Sequence, residues 1–248
     1  MNPIVWHIEH FDQIDSTNTW LGDRARDGAP EGTVVFADFQ SAGRGRLDRT
    51  WDATPGTSLL CSILFRPSLE SSDLQLTVAI VALAARAALV RLCGLRPSLK
   101  WPNDLLAGDL KLAGLLAELV ATPSGPAVVV GIGINLRDVS AVKPRATSVK
   151  QESGVTISAR ALLDILLEEL EPRRYLLDSA EGRAVAREEY SASLGTIGQR
   201  VRVEQRDVSF VGLATGIDDA GHLLVDIDGV ETSFMAGDVV HVRTEGTE

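Results

Sequence analysis

Two glycines alternate with two arginines in Gly43-Arg44-Gly45-Arg46, and Arg49 and Trp51 follow within a few residues. The chemistry on offer is anion binding. Glycine lets backbone N–H groups turn toward a negative charge, and a guanidinium adds a planar fork of donors suited to carboxylate and phosphate oxygens. The apolar, β-branched run from Thr33 to Phe39 reads as a strand, so the arginines stand on a loop at a strand end, with Gln40 at its start. A basic surface loop has the same composition, so other residues must decide.

More polar clusters fall at strand ends or turns. Ser16-Thr17-Asn18 offers hydroxyls and an amide, and equally well caps a helix over Thr19 to Arg26. Lys100-Trp101-Pro102-Asn103-Asp104 carries a strand into a proline turn, and Lys111-Leu112-Ala113-Gly114 follows. Lys111 opens an apolar strand, an awkward place for an ammonium unless it meets a ligand, a partner or, by snorkelling, solvent. Gly114 fits the close approach of a ligand or of another strand. Gly131-Ile132-Gly133-Ile134-Asn135 ends a further apolar run, but with no third glycine and no helix pattern after it this is not a dinucleotide fingerprint. A flat group resting on bare backbone, with Asn135 at its edge, and ordinary strand bulging both account for it.

Strands and helices must bring these clusters together. Ile4 to Ile14, Thr33 to Phe39 and Thr57 to Phe65 read as strands, and Lys111 to Val120 and Ala127 to Leu136 as a hairpin. A long helix is expected from Ser71-Ser72-Asp73 through Cys93, apolar on nearly all sides and so deeply packed. Ser158 to Leu177 is helical with an interruption around Pro172, and Gly182 to Leu194 gives another helix. Without strict βαβ alternation the class is α+β, a mixed sheet packed with helices. Past Gly195, four short strands are expected at Arg200–Val203, Phe210–Ala214, Leu223–Ile227 and Val239–Val242, with turns at Asp218–Gly221 and Asp228-Gly229. They predict a small β-barrel over 196–248 after a larger domain over 1–195, with no catalytic cluster of its own.

Composition narrows the classes. The chain has 248 residues, 45% hydrophobic, and a net charge of −10, so a broad nucleic-acid-binding face is excluded. Cys61 and Cys93 form neither a CxxC nor a metal-ligand pattern and read as free thiols in a reducing compartment. The N-terminus has no signal-peptide pattern, and Leu74 to Val90, with Gln75, Thr77 and Arg86, falls short of a membrane span. The expected location is the cytoplasm, with no membrane partner.

Taken in order and spacing, Asp15-Ser16-Thr17-Asn18, Gln40-x-x-Gly43-Arg44-Gly45-Arg46 with Trp51, Lys100–Asp104, Lys111–Gly114 and Gly131–Asn135 resemble the motifs of the biotin protein ligases. Phe234-Met235-Ala236-Gly237-Asp238 resembles their small C-terminal domain. The resemblance implies a catalytic domain similar to class II aminoacyl-tRNA synthetases, followed by an SH3-like barrel. It implies two steps: biotin and MgATP give biotinyl-5′-AMP, and a lysine of a biotin carboxyl carrier domain of a carboxylase then takes the biotinyl group. It places Ser16, Thr17, Asn18, Gln40, Gly43, Arg44, Arg46, Trp51, Lys111 and Gly114 on biotin. Arg44, Arg46, Arg49, Lys100, Trp101, Asn103, Gly131, Gly133 and Asn135 are placed on ATP. Lys111, Arg44, Arg46 and Asp104 would be catalytic, with Asp104 orienting the acceptor lysine or holding Mg2+. With Ser16-Thr17-Asn18 so near the start, the resemblance is to the type lacking an N-terminal DNA-binding domain, so no DNA partner is expected. Two alternatives stay open: a lipoate ligase or octanoyl transferase on a related fold, and a non-catalytic regulator that binds biotin or nucleotide.

Overall fold

In the computed structural model, which describes residues 4–47, 49–67, 74–137, 145–205 and 208–242, the strands sort into two sheets. The larger has seven strands: β1 (His7–Phe11), β2 (Thr33–Ala37), β3 (Ser58–Phe65), β4 (Ser98–Lys100), β5 (Asp104–Ala107), β6 (Leu110–Thr122) and β7 (Gly125–Asn135). Their spatial order is β1-β2-β3-β7-β6-β5-β4. Only β1 and β2 run parallel, joined by α1 (Thr17–Arg26) because a parallel pair needs a crossover; the other neighbours are antiparallel.

Period-two alternation gives this sheet two different faces. Val128, Val130, Ile132 and Ile134 of β7 enter the main core with α2 (Leu74–Cys93) and α4 (Ala159–Leu176), while Ala127 and Val129 pack with Leu21 and Ala25 of α1. Gly131 and Gly133 continue the α1 side but bring no side chain of their own, leaving room for side chains from elsewhere. That gap in the pattern becomes the site.

Leu76 to Ala85, Ala88 and Leu89 of α2 are buried, as an apolar helix without a polar face requires. By length and composition α2 does reach what a membrane span needs, against the sequence expectation, yet two thirds of it is covered by protein here. The helix stops at Gly94, whose φ of +70° suits glycine. The expected start at Ser71-Ser72-Asp73 lies outside the described residues, as does Asp48 of the arginine loop.

The interruption expected at Pro172 does not occur: α4 runs through it. Proline removes one backbone donor near the helix end, and buried Leu162, Leu163, Leu166, Leu167 and Leu170 hold the helix against the core. Short α3 (Val149–Ser153) precedes α4, and α5 (Ala180–Ser193) follows it.

The C-terminal part has five strands, not four: β8 (Arg200–Gln205), β9 (Val208–Ile217), β10 (Leu223–Ile227), β11 (Val230–Phe234) and β12 (Asp238–His241). They lie in the order β11-β10-β9-β8-β12, an open antiparallel sheet whose outer strands do not pair among the described residues. Val201, Val203, Ala214, Leu223, Val225, Phe234 and Val239 join the same core cluster as α2, so both sheets share one interior. Trp101 rivets them together. It is fully buried, its backbone N–H donates to Thr196 Oγ1 at 3.1 Å, and its indole donates to the Gly221 carbonyl at 3.0 Å.

Candidate active site

The floor of the site is the β6–β7 pair. Gly114 lies opposite Gly133 in the ladder, and Gly131 is two residues back on the same face. Each glycine makes room for a specific neighbour. A Cβ on Gly133 would come within 2.4 Å of the Trp51 indole, one on Gly131 within 2.2 Å of Asn18 Oδ1, and one on Gly114 within 3.0 Å of both Lys111 and Trp51. The indole therefore lies directly on bare strand backbone.

A bulge aims Lys111. The β5–β6 register passes from Leu105↔Ala113 to Leu106↔Lys111, leaving Leu112 as the extra residue. Leu112 and Ala113 both turn into the main core, so Lys111 and Gly114, three apart, share the cavity face. A regular strand would have sent them to opposite faces. The Lys111 ammonium meets Asp104 Oδ1 at 2.6 Å and lies 5.7 Å from the Trp51 ring.

One end of the cavity is a hydrogen-bonded network of uncharged side chains that meets the charged end at Glu118. Gln40 Oε1 accepts from the Thr17 backbone N–H at 2.7 Å and from its hydroxyl at 2.9 Å. Buried Ser62 stands 2.8 Å from Thr17 Oγ1 and 2.6 Å from Asn18 Oδ1, and Asn18 Nδ2 donates to Glu118 at 2.8 Å. Ser16 takes the N-cap position of α1, which begins at Thr17 and not at Thr19, but its side chain makes no cap bond. The cap reading of this cluster thus gives way to a buried polar network.

The other end is cationic, and its charges have protein partners. Arg44 pairs with Glu118 and Arg49 with Asp238, while Arg46 donates to Asn103 Oδ1 and to the Gly237 carbonyl, both at 3.3 Å. The loop itself folds as a narrow turn, with Arg44 bridged to Thr50 and the Trp51 N–H bonded to the Gly43 carbonyl at 3.0 Å. Burial lowers the pKa of Arg46, with Asp238 and Asp104 pulling the other way. Burial also lowers that of Lys100, which sits near Asp104 and Lys111. The arrangement can receive a ligand with a neutral, hydrogen-bonding head and a strongly anionic tail.

Ser16, Thr17, Asn18, Gln40, Arg44, Arg46, Arg49, Trp51, Asn103, Asp104, Lys111, Gly114, Gly131 and Gly133 all line one cavity of about 140 Å3. Ligand pockets usually hold roughly 300–1,000 Å3, and this cavity shares Arg44, Arg46, Arg49 and Asn103 with a groove of about 770 Å3. Four expected residues stand apart from that lining. Gly43 borders a neighbouring groove, Lys100 lies behind Asp104 on β4, and Trp101 is the interior rivet. Asn135 donates to the carbonyls of Thr147 at 2.9 Å and Lys111 at 3.5 Å, so here it anchors backbone beside the site.

Sequence reasoning missed Glu118, Ser62 and Asp238. The sequence signal for Glu118 was an acid inside an apolar strand, and for Asp238 an acid after Gly237 in a motif already singled out. Cys61 also borders the cavity, and burial pushes its thiol up to about 12, which keeps it protonated and unreactive.

Residues 10–135 match the biotin/lipoate A/B protein ligase family, and residues 196–242 match the biotin protein ligase C terminal domain. The chain belongs to the biotin/lipoate A/B protein ligase family. It is 39% identical over 240 residues to the biotin–[acetyl-CoA-carboxylase] ligase of Mycobacterium tuberculosis, spanning 93% of this chain and 87% of that protein. Against the bifunctional ligase/repressor BirA of Escherichia coli the identity is 31% over 230 residues, spanning 91% of this chain and 71% of that protein. Among solved structures, the biotin protein ligase from Aquifex aeolicus in complex with biotin and ATP aligns with a TM-score of 0.82 at 25% identity, over 96% of this chain and 99% of that one. The α+β reading, with a mixed sheet followed by a small antiparallel sheet, holds for this family member.

Proposed function

We propose that the chain is an ATP-dependent biotin protein ligase that makes biotinyl-5′-AMP and passes the biotinyl group to a lysine of a carboxylase carrier domain. One observation carries the reading: a single glycine-floored cavity joins a neutral polar end, Thr17 with Gln40, to a cationic end of Arg44, Arg46, Arg49 and Lys111. A ureido ring suits the first end, and a carboxylate meeting a triphosphate suits the second.

Bringing two anions together is the electrostatic problem of the first step. Lys111, a compact charge held on the floor, stands where both meet, and the loop guanidiniums offset repulsion and stabilise charge as it builds on the α-phosphate. The carboxylate oxygen attacks the α-phosphorus and pyrophosphate leaves. The acceptor amine then attacks the acyl carbon and AMP leaves. Asp104, whose carboxylate lies 2.6 Å from the Lys111 ammonium in the cavity, would orient that amine. It is also a carboxylate that would hold Mg2+ when MgATP binds, and the ion would there neutralise phosphate charge. Trp51 and the loop, closed over the mixed anhydride, keep water from it.

The domain division at 195 and a cytoplasmic location belong to the same proposal, as does the absence of a DNA role, in keeping with the net charge of −10. The family model also covers lipoate ligases, whereas the match at 196–242 is to the biotin branch. Incubation with biotin, MgATP and a biotin carrier domain should raise the acceptor mass by one biotinyl group per target lysine. Lipoate should not replace biotin, and omitting ATP should abolish the gain. An unchanged acceptor mass sinks the proposal.

A further inference from the structure

The C-terminal sheet reaches into the cavity at one point. Asp238, the first residue of β12, lines it together with the loop arginines. Its carboxylate takes Arg49, and the carbonyl before it, that of Gly237, accepts from Arg46. Arg46 also bonds Asn103 in the turn between β4 and β5, so one guanidinium links the borders of both sheets. The mount is stiff: Asp238 pairs with Glu204 in the β12–β8 ladder, and a Cβ on Gly237 would come within 2.8 Å of Val203. Arg49 is 66% exposed and Asp238 only 20%, so the fixed acid sets the position of the free arginine, not the reverse.

From this geometry we infer that Asp238 is a positioning residue for the reaction proposed above, on which the inference rests. It holds Arg49, and through the adjoining carbonyl Arg46, at the cavity mouth where the polyphosphate of the nucleotide is received. The C-terminal sheet thereby serves the nucleotide half of the site and leaves the Thr17–Gln40 half alone.

The test uses the full chain and the variants Asp238→Asn, Asp238→Glu, Arg49→Ala and the Asp238→Asn/Arg49→Ala pair. In pyrophosphate release, Asp238→Asn should raise KM for ATP about tenfold, change KM for biotin less than about twofold and leave Tm nearly unchanged. Glutamate should recover most of the loss, and the double variant should be no worse than Arg49→Ala alone. Equal effects on both KM values, a lower KM for ATP, additive losses, or a loss that follows Tm would each overturn the inference. A substrate-free arm separates it from the functional reading. Trypsin should cut after Arg46 and Arg49 faster in Asp238→Asn than in the wild-type chain, and equal cutting contradicts the inference even if the wild type proves inactive. Wild-type chain that releases no pyrophosphate, with the trypsin difference intact, would instead reject the functional reading.

Discussion

The floor and the lid of the cavity are held by different forces. The β6–β7 floor is a continuous antiparallel ladder from Ala113↔Ile134 to Thr122↔Gly125, backed by the main core. The lid, described over 43–47 and 49–51, leans on that floor through Trp51 and is tied down mainly by side-chain charges: Arg44 on Glu118, Arg49 on Asp238, Arg46 on Asn103. A ladder fixes shape at the cost of adaptability, whereas an exposed ion pair contributes at most about 1 kcal/mol and exchanges readily for another anion. The floor is therefore preorganised and the lid is exchangeable: Arg44 and Arg46 rest on a carboxylate and an amide that a substrate oxygen can replace, while the less exposed Asp238 keeps Arg49 at the mouth.

The largest effect should come from spoiling the floor. Gly133→Val keeps a residue that strands favour but fills the space now taken by Trp51. Pyrophosphate release should fall by two orders of magnitude or more, about 3 kcal/mol, while overpacking lowers stability by about 1–3 kcal/mol and leaves the chain folded at the assay temperature. Near-normal turnover would show that the bare backbone is not a ligand surface.

Lys111→Ala comes next, because the β-bulge gives that lysine to the floor and not to the lid. Adenylate formation should lose on the order of 3 kcal/mol, the scale of one preorganised donor. Supplying biotinyl-5′-AMP should bypass part of the defect, since the two anions need no longer be brought together. Equal loss in both half-reactions would instead point to uniform binding.

How much of this was legible beforehand follows the same divide. The glycines at 114, 131 and 133, the arginine loop and the hairpin carried local signals: close approach, anion binding and alternation. The bulge at Leu112 did not, because register depends on β5, and Lys111 stood out only as a misplaced charge. Trp101 sits inside a site motif yet is a rivet between sheets, a role set by Thr196 and Gly221 about a hundred residues away. Strand β11 was missed because Val230-Glu231-Thr232-Ser233-Phe234 is an edge strand that buries only Phe234. Pro172 misled because local propensity yields to a helix face packed on the core.

A smaller effect should come from loosening the lid. Glu118→Gln removes an ion pair whose members are 32% and 44% exposed, so Tm should move by less than the equivalent of about 1 kcal/mol. Trypsin cleavage after Arg44 should nevertheless speed up. A large stability loss would mean that the lid is built into the fold as firmly as the floor.

The smallest effect concerns acid. His241, within 3.4 Å of Thr196 Oγ1, has its pKa lowered from 6.5 by burial and by the Lys100 charge, with Asp109 opposing. Its folded pKa lies below the unfolded value, so the unfolded chain takes up this proton first and stability drops as pH falls below about 6.5. His241→Gln should reduce the fall in Tm between about pH 7 and pH 5. An identical slope would show that this histidine contributes nothing to the joint between the sheets.

Amide hydrogen exchange of the full chain, with and without biotin and MgATP, tests the division between floor and lid most directly. Amides of 128–134 should be protected to the same degree in both conditions, while those of 42–51 should exchange faster without ligand and slow when it is added. Loop amides that exchange equally in the two conditions, or floor amides that gain protection along with them, would contradict a preformed floor under an exchangeable lid.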